Sequence, residues 1–508
     1  MLSVAAFEGL AIMVSAIRLG ADSMKICLAR TALLVPFRLG DQDLSSLQEA
    51  YWVNRRGVRQ AKFQNVLGIA GSGSSGTSGL PDEVRELDEA FQHLLGAQTV
   101  PASQPSRRPW QWQLLRLSQD FLGPHYLGNV VFETTKGGQF QGTKLDRVEV
   151  VRFPLSTGIL VFHLRWPETT LTEFQEVLAR CRYLDLQSGR AGWSFRPEGV
   201  GAAQDPSHAQ DLGPELEAAC YRQRPMALRD LCRWILAGTV SVPGLRISSS
   251  RYALHHTCLV GTTENPQPEN LSALLFRLRR AYPPHYVQPP EQEGSQDRVL
   301  APRGNRRIGI SREGNVSLTW AKSGELTEFD LTIWPYRFQG VYLLLALHAL
   351  GERLSLTGLA AEIATFSNRL QDHRTLMREH RSGQLGRLHR RVVRHTTTMT
   401  TDDCGGPSDY SHFFRACRRV HAVPEHLEEV RAEAAELFQL VETAGQNRVQ
   451  LLLAVLSASV LPLVVAGSLS QLPGTEFLQQ GWGAWILLVA ALGLSAALFW
   501  RLFPRPWR

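Results

Sequence analysis

The sequence predicts a mixed α+β (or α/β) cytoplasmic domain, a long stalk helix and a C-terminal hairpin of two transmembrane helices. Three observations carry this. Strand and helix patterns mix up to about residue 335. An apolar heptad seam follows Pro424. Two stretches, Leu451–Leu469 and Gly481–Trp500, contain no Asp, Glu, Lys or Arg. A helix needs ~20 apolar residues to cross the hydrocarbon core of a bilayer, and each stretch supplies that length.

Composition bounds the rest. The chain of 508 residues has room for about two to four domains. Lys and Arg total 54 against 47 Asp and Glu, a formal charge of +7. Basic tracts beside a membrane account for so mild an excess, and no specific nucleic acid partner is expected. The seven cysteines are scattered with no CxxC pair, which suits reduced thiols in a cytoplasm. No HExxH, GxSxG or Walker pattern occurs, which argues against an enzyme, and no cofactor is expected beyond a divalent cation as transported or regulatory ion.

Residues 1–23 read as an upstream extension ahead of a second start at Met24. Glu8 and Arg18 interrupt their apolar run, and no basic segment precedes it, so it does not read as a signal peptide. The cytoplasmic domain then covers 24–335. Within it, 70–80 form a Gly/Ser linker, which lacks the Gly-Lys-Ser/Thr ending of a phosphate loop. Residues 101–108 and 285–305, rich in Pro, Gln, Ser and Arg, read as loops. Val148–Phe153 and Gly158–Trp166 are strands joined by a turn over Pro154 to Thr157. Leu171, Phe174, Leu178 and Cys181 recur at helical spacing after them. Arg307–Ser311 and Val316–Trp320 flank a turn containing Gly314 and make a hairpin. Tyr252–Gly261 is a further strand, and its His255-His256-x-Cys258 is short of ligands for a zinc site.

A helical region is expected over 336–448. Val341–Leu350 is almost wholly apolar but too short to span a bilayer, so it reads as a core helix. Residues 353–395 read as largely helical and Thr396 to Ser408 as a loop. Eight arginines between 369 and 395, among them Arg387, Arg390, Arg391 and Arg394, suit a polyanion, a nucleotide or anionic lipid. A solvated helix face answering the acidic stalk is the other reading. From Pro424, a favourable first helical residue, Val423, Leu427, Val430, Ala434, Leu437, Val441 and Ala444 make an apolar seam with spacing 4-3-4-3-4-3. Leu427, Val430, Leu437 and Val441 have no obvious cover in the chain and are expected to join subunits. Packing on the chain's own domain is the alternative.

The hairpin and basic tail occupy 449–508. Arg448 precedes the first stretch, Arg501, Arg505 and Arg508 follow the second, and the connecting Ser470 to Gln480 has neither Lys nor Arg. The positive-inside bias therefore predicts a two-pass protein of the cell (inner) membrane with both termini cytoplasmic. Trp482 and Trp485 at one interface, and Trp500 and Trp507 at the other, suit an aromatic belt.

This layout resembles the CorA family of divalent-cation (Mg²⁺) channels and transporters. Leu461-Pro462-Leu463-Val464-Val465-Ala466-Gly467 is similar to the family's apolar-Pro-Leu…Ala-Gly stretch, and Tyr342-Leu-Leu-Leu-Ala-Leu-His348 to its upstream helical segment. The resemblance covers roughly 335–508. It implies a homo-pentamer whose first spans line one pore for Mg²⁺ or a related ion. The family's Gly-Met-Asn is replaced by Gly467-Ser468-Leu469-Ser470-Gln471, so the amide ring would fall to Gln471.

Periodicity selects a pore face. Asn447, Gln450, Ala454, Ser457, Leu461, Val464, Ser468 and Gln471 fall on one stripe in steps of three or four, and polar groups turn away from lipid. The stripe also suits helix-to-helix packing through small residues. A rival function is a membrane-anchored sensor or effector. Its soluble domain would bind a ligand or partner protein, and the hairpin would anchor it or perturb the bilayer.

Overall fold

The computed structural model describes residues 24–38, 51–53, 60–65, 113–117, 129–133, 139–153, 157–185, 193–196, 226–239, 245–263, 271–287, 298–322, 324–370, 384–398, 404, 407–469 and the positions Trp485, Val489 and Gly493. Within them one large sheet contains β1 (Lys25–Arg38), β2 (Tyr51–Val53), β3 (Gln60–Asn65), β4 (Gln113–Leu117), β5 (Asn129–Glu133), β6 (Gln139–Phe153) and β7 (Thr157–Trp166). It continues with β8 (Thr169–Thr170), β9 (Ser194–Arg196), β10 (Arg246–Ile247), β11 (Leu254–Thr262), β12 (Arg298–Arg303), β13 (Arg306–Ile310) and β14 (Gly314–Ala321). The spatial order is β12-β13-β14-β11-β1-β7-β6-β4-β3-β2, with β8 and β10 on β1, and β5 joining β6 to β9. Among the described strands only β11 and β14 pair in parallel. The fold is therefore mixed α+β, not a regular α/β alternation.

β1 lies in the middle of the sheet and alternates between two cores. Ala29, Leu33, Val35 and Phe37 enter one, Ala32 and Leu34 the other. Pro36 cannot donate to a ladder. It falls where β11 has ended, at the Leu34 and Leu254 pair, and β10 has not begun, at Phe37 and Ile247. The first core is completed by α1 (Leu171–Cys181), α2 (Leu228–Thr239) and α3 (Leu271–Arg280), through side chains such as Phe174, Leu231 and Leu278. Thr170 starts α1 with a reciprocal cap: its hydroxyl accepts from Glu173 N, and the Glu173 carboxylate accepts from Thr170 N.

The second core is covered by an almost continuous helical run. It comprises π-helical turns at Phe329–Ile333 and Phe338–Tyr342, α4 (Trp334–Arg337) between them, and α5 (Leu343–Leu370). α7 (Ser408–Val420), after α6 (Gln384–Thr398), adds Tyr410, Phe413, Phe414 and Cys417. The span Phe329–Asn368 is the one helical stretch among the described residues that is long and apolar enough to cross a membrane, yet 78% of its apolar window is buried inside the protein. Close packing explains Gly351: a Cβ there would sit 2.1 Å from Phe153.

Contacts divide the chain into two units, Met1–Ala360 with Arg394–Glu429, and Ala361–Val393 with Val430–Arg508. The boundary expected at 335/336 falls inside the first of these units. Residues 336–360 and α7 belong with the sheet because their apolar side chains form its second core. The expected loop at 285–305 is also revised, since 298–303 form β12 at the sheet edge. An edge strand is paired on one side only and tolerates a polar, proline-containing sequence. Likewise α6 runs on to Thr398, and Ser408 opens α7. In the second unit Arg391 pairs with Glu362 at 3.0 Å, and the rings of His389 and Phe438 lie 4.6 Å apart. α8 (Val423–Leu469) is a single helix of 47 residues, about 70 Å at ~1.5 Å per residue.

Candidate functional site

Pro424 opens α8 without loss, because the amide it lacks would have no partner in a first helical turn. Of the expected pore face, Gln450, Ser457 and Val464 are exposed in the single chain and spaced by seven residues, so they share one side of the helix. Asn447, Leu461 and Ser468 lie on α8, but their side chains fall outside the described part, and Gln471 lies outside the described residues. Of the second apolar stretch, Trp485, Val489 and Gly493 are helical and exposed; the rest lies outside the described residues.

Part of the expected subunit seam is covered in the single chain. Val423, Leu427, Val430 and Leu437 are buried, so four seam residues already have cover in one chain. In the second unit Leu388 and Val392 of α6 and Ile363 of α5 are buried as well, and α6 meets α8 where the His389 and Phe438 rings lie 4.6 Å apart. The Val441 side chain lies outside the described part. The acidic residues Glu425, Glu428, Glu429, Glu433, Glu436 and Glu442 are all exposed.

The basic helix α6 presents Arg387, Arg390 and Arg391 to the exterior, whereas the Arg394 side chain is not described. Arg390 Nε donates to Gly386 O at 3.1 Å. Arg391 is held by Glu362 of α5, so its partner is not the acidic stalk. Arg374, Arg378 and Arg381 lie outside the described residues.

Periodicity gave no sign of four buried polar centres in the first unit. Arg306 of β13 donates to Asp330 at 2.5 Å and to Thr319 Oγ1 at 3.0 Å, and its guanidinium lies 4.0 Å from the Trp334 ring centroid. Thr327 Oγ1 donates to the other Asp330 oxygen at 2.6 Å. This centre fixes the first helical turn to the sheet. Arg418 of α7 lies 2.9 Å from Glu352 of α5, with His348 at 3.7 Å from the same carboxylate. Glu149 of β6 is met by His163 Nε2 at 2.7 Å and Arg147 Nε at 3.1 Å.

The fourth centre is the histidine pair of β11. His255 Nε2 donates to Arg279 O at 3.1 Å, and His256 Nε2 donates to Phe338 O at 2.8 Å while its ring stacks on Phe338 at 4.2 Å. Burial, aided by the nearby Arg182 charge, pushes His255 down to about 3; burial likewise takes His256 to about 3. Both imidazoles are therefore neutral, each with one nitrogen committed to a carbonyl that ties β11 to a neighbouring layer. Polar residues at alternating positions of Val-rich strands, as at Glu149 and His163, are the sequence signal for such centres. Their pairing across strands is not visible from one segment alone.

Among the described residues no group of His, Cys, Asp and Glu could hold a metal ion. The chain matches no protein-family model and no curated protein.

Proposed function

We propose that the protein is a CorA-like membrane channel. Its soluble α+β domain lies in the cytoplasm, and subunits assemble so that the distal half of α8 lines a path for divalent cations. The observation that carries this reading is the continuity of α8. One 47-residue helix leads from the sheet-bearing unit through Leu451–Leu469, which has no charged side chain. Exposed Gln450, Ser457 and Val464 on one face support it, because a side left uncovered among the described residues is available to face a pore. Gln471 and Asn447 cap the ends of the path, amide and hydroxyl oxygens hold a cation through its waters, and Leu461 and Val464 form the apolar gate. The second uncharged stretch completes a two-pass hairpin with both termini cytoplasmic.

The test is flux of Mg²⁺, Co²⁺ and Ni²⁺ into liposomes bearing the inserted protein. Wild type conducts, Leu461→Ser raises the leak, and Gln471→Ala alters selectivity more than assembly. Equal, negligible flux in wild type and Leu461→Ser would sink the pore. Two observations favour a second reading, the membrane-anchored sensor or effector: Gly-Met-Asn is absent, and most of the apolar seam is covered within one chain. On that reading the liposomes bind the protein and show no flux.

A further inference from the structure

Arg182 caps the C-terminal end of α1, and the backbone around it is fixed on both sides. Ala253 N donates to Arg182 O at 2.7 Å, Leu184 N to Arg251 O at 3.0 Å, and Tyr183 and Tyr252 form an antiparallel bridge. The side chain is 3% exposed. Its guanidinium sits 4.5 Å from the Tyr252 ring centroid. Nε and Nη1 are both buried and have no hydrogen-bond partner among the described residues. This is the reverse of Arg306, whose Nε and Nη2 are both spent on Thr319 and Asp330.

The surroundings carry donors and a modest excess of positive charge. The hydroxyls of Tyr183 and Tyr252 lie 3.4 Å apart on half-buried rings whose centroids are 4.7 Å apart. The Glu313 carboxylate acts on Arg182 but is shared with Arg280 at 3.8 Å. Tyr282 also acts on the Arg182 charge. Burial pulls the Arg182 pKa down and Glu313 counters it only in part. A buried guanidinium with unused N–H groups is costly to fold around, and planar oxyanions match its donors.

We infer that Arg182, with the Tyr183 and Tyr252 hydroxyls at its rim, forms a binding site for a small oxyanion group, a phosphate or a carboxylate. The anion supplies the acceptors that Nε and Nη1 lack among the described residues, beside the half-buried Tyr183 and Tyr252 rings. The site stands independently of the membrane reading. It would give the soluble domain a ligand whether the hairpin conducts or merely anchors.

The experiment is thermal unfolding of the full chain in detergent, titrated with inorganic phosphate in one arm and succinate in another, with sodium chloride matching ionic strength. At least one anion should raise the melting temperature with a saturable midpoint that chloride does not reproduce, and the anion with the lower midpoint assigns the group. Arg182→Met should abolish the rise and leave the free protein at least as stable as wild type, because it removes an unsatisfied buried cation. Tyr183→Phe keeps the guanidinium in place and should move the midpoint several-fold higher, which serves if Arg182→Met does not fold. No anion-specific rise in wild type, an undiminished rise in Arg182→Met, or an unchanged midpoint in Tyr183→Phe would overturn the site.

Discussion

Two uncharged apolar helical segments of this chain meet opposite surroundings. Every residue of Val341–Leu350 is buried between the sheet and its neighbouring helices. In Leu451–Leu469, Leu453 is 58% and Val464 63% exposed. Both segments are Leu-rich, so composition alone does not separate them. Cover does. The first is a helix that is hydrophobic all round because the fold surrounds it, and the second leaves Leu453 and Val464 uncovered among the described residues. This comparison is the support for the proposal that the second segment lies in lipid or against another subunit.

The largest effect expected is at the entry to the covered segment. Asp330→Ala strands the buried Arg306 charge and should cost about 3–5 kcal/mol, read by denaturant unfolding of the full chain in detergent. An unchanged midpoint would show that the first helical turn does not depend on this ion pair.

Next comes the comparison itself. Leu345 is fully buried, so Leu345→Ala should cost about 2–5 kcal/mol. The same change at exposed Leu453 should stay within about 0.5 kcal/mol in detergent. Similar losses at both positions would erase the distinction.

Acid sharpens the contrast further. His255, His256 and His421 sit at about 3 and His395 at about 4, all lowered chiefly by burial. Their folded pKa values lie below the unfolded value near 6.5, so the unfolded chain binds more protons in between. The stability they contribute is full above pH 6.5 and is lost as pH falls towards 3–4. By pH 5 each should have lost roughly 2 kcal/mol. Unfolding followed by tryptophan fluorescence against pH checks this, and a flat profile between pH 6.5 and 5 would contradict it.

The smallest effect belongs to the second unit. Arg391 and Glu362 are a partly exposed pair, so Arg391→Ala should change stability by roughly 0–1 kcal/mol and by less at high salt. A larger loss would mean that α6 is held to α5 mainly by charge.

The contrast also explains what the sequence could disclose. β6, β7, α1, β13 and β14 were legible because each repeats its own period, and Gly314 and the Pro154 to Thr157 turn punctuate them. β1 was not, although it is the middle strand. It is buried on both faces, which removes the polar half of a strand's alternation, and Arg30 and Pro36 interrupt the run. β12 was hidden for the opposite reason: it is an edge strand with a polar, exposed sequence. The seam of α8 was legible as an apolar stripe, but a heptad does not say whether its cover comes from the same chain or another. Arg182 was invisible, since nothing local marks an arginine as buried. Its partners come from segments seventy and more positions along the chain.

The most direct measurement is alkaline carbonate extraction of membranes carrying the full chain and a version ending at Arg448. The full chain should stay in the pellet with the lipid, and the shortened one should be released. Release of the full chain into the supernatant would contradict the claim that the apolar half of α8 lies in a bilayer.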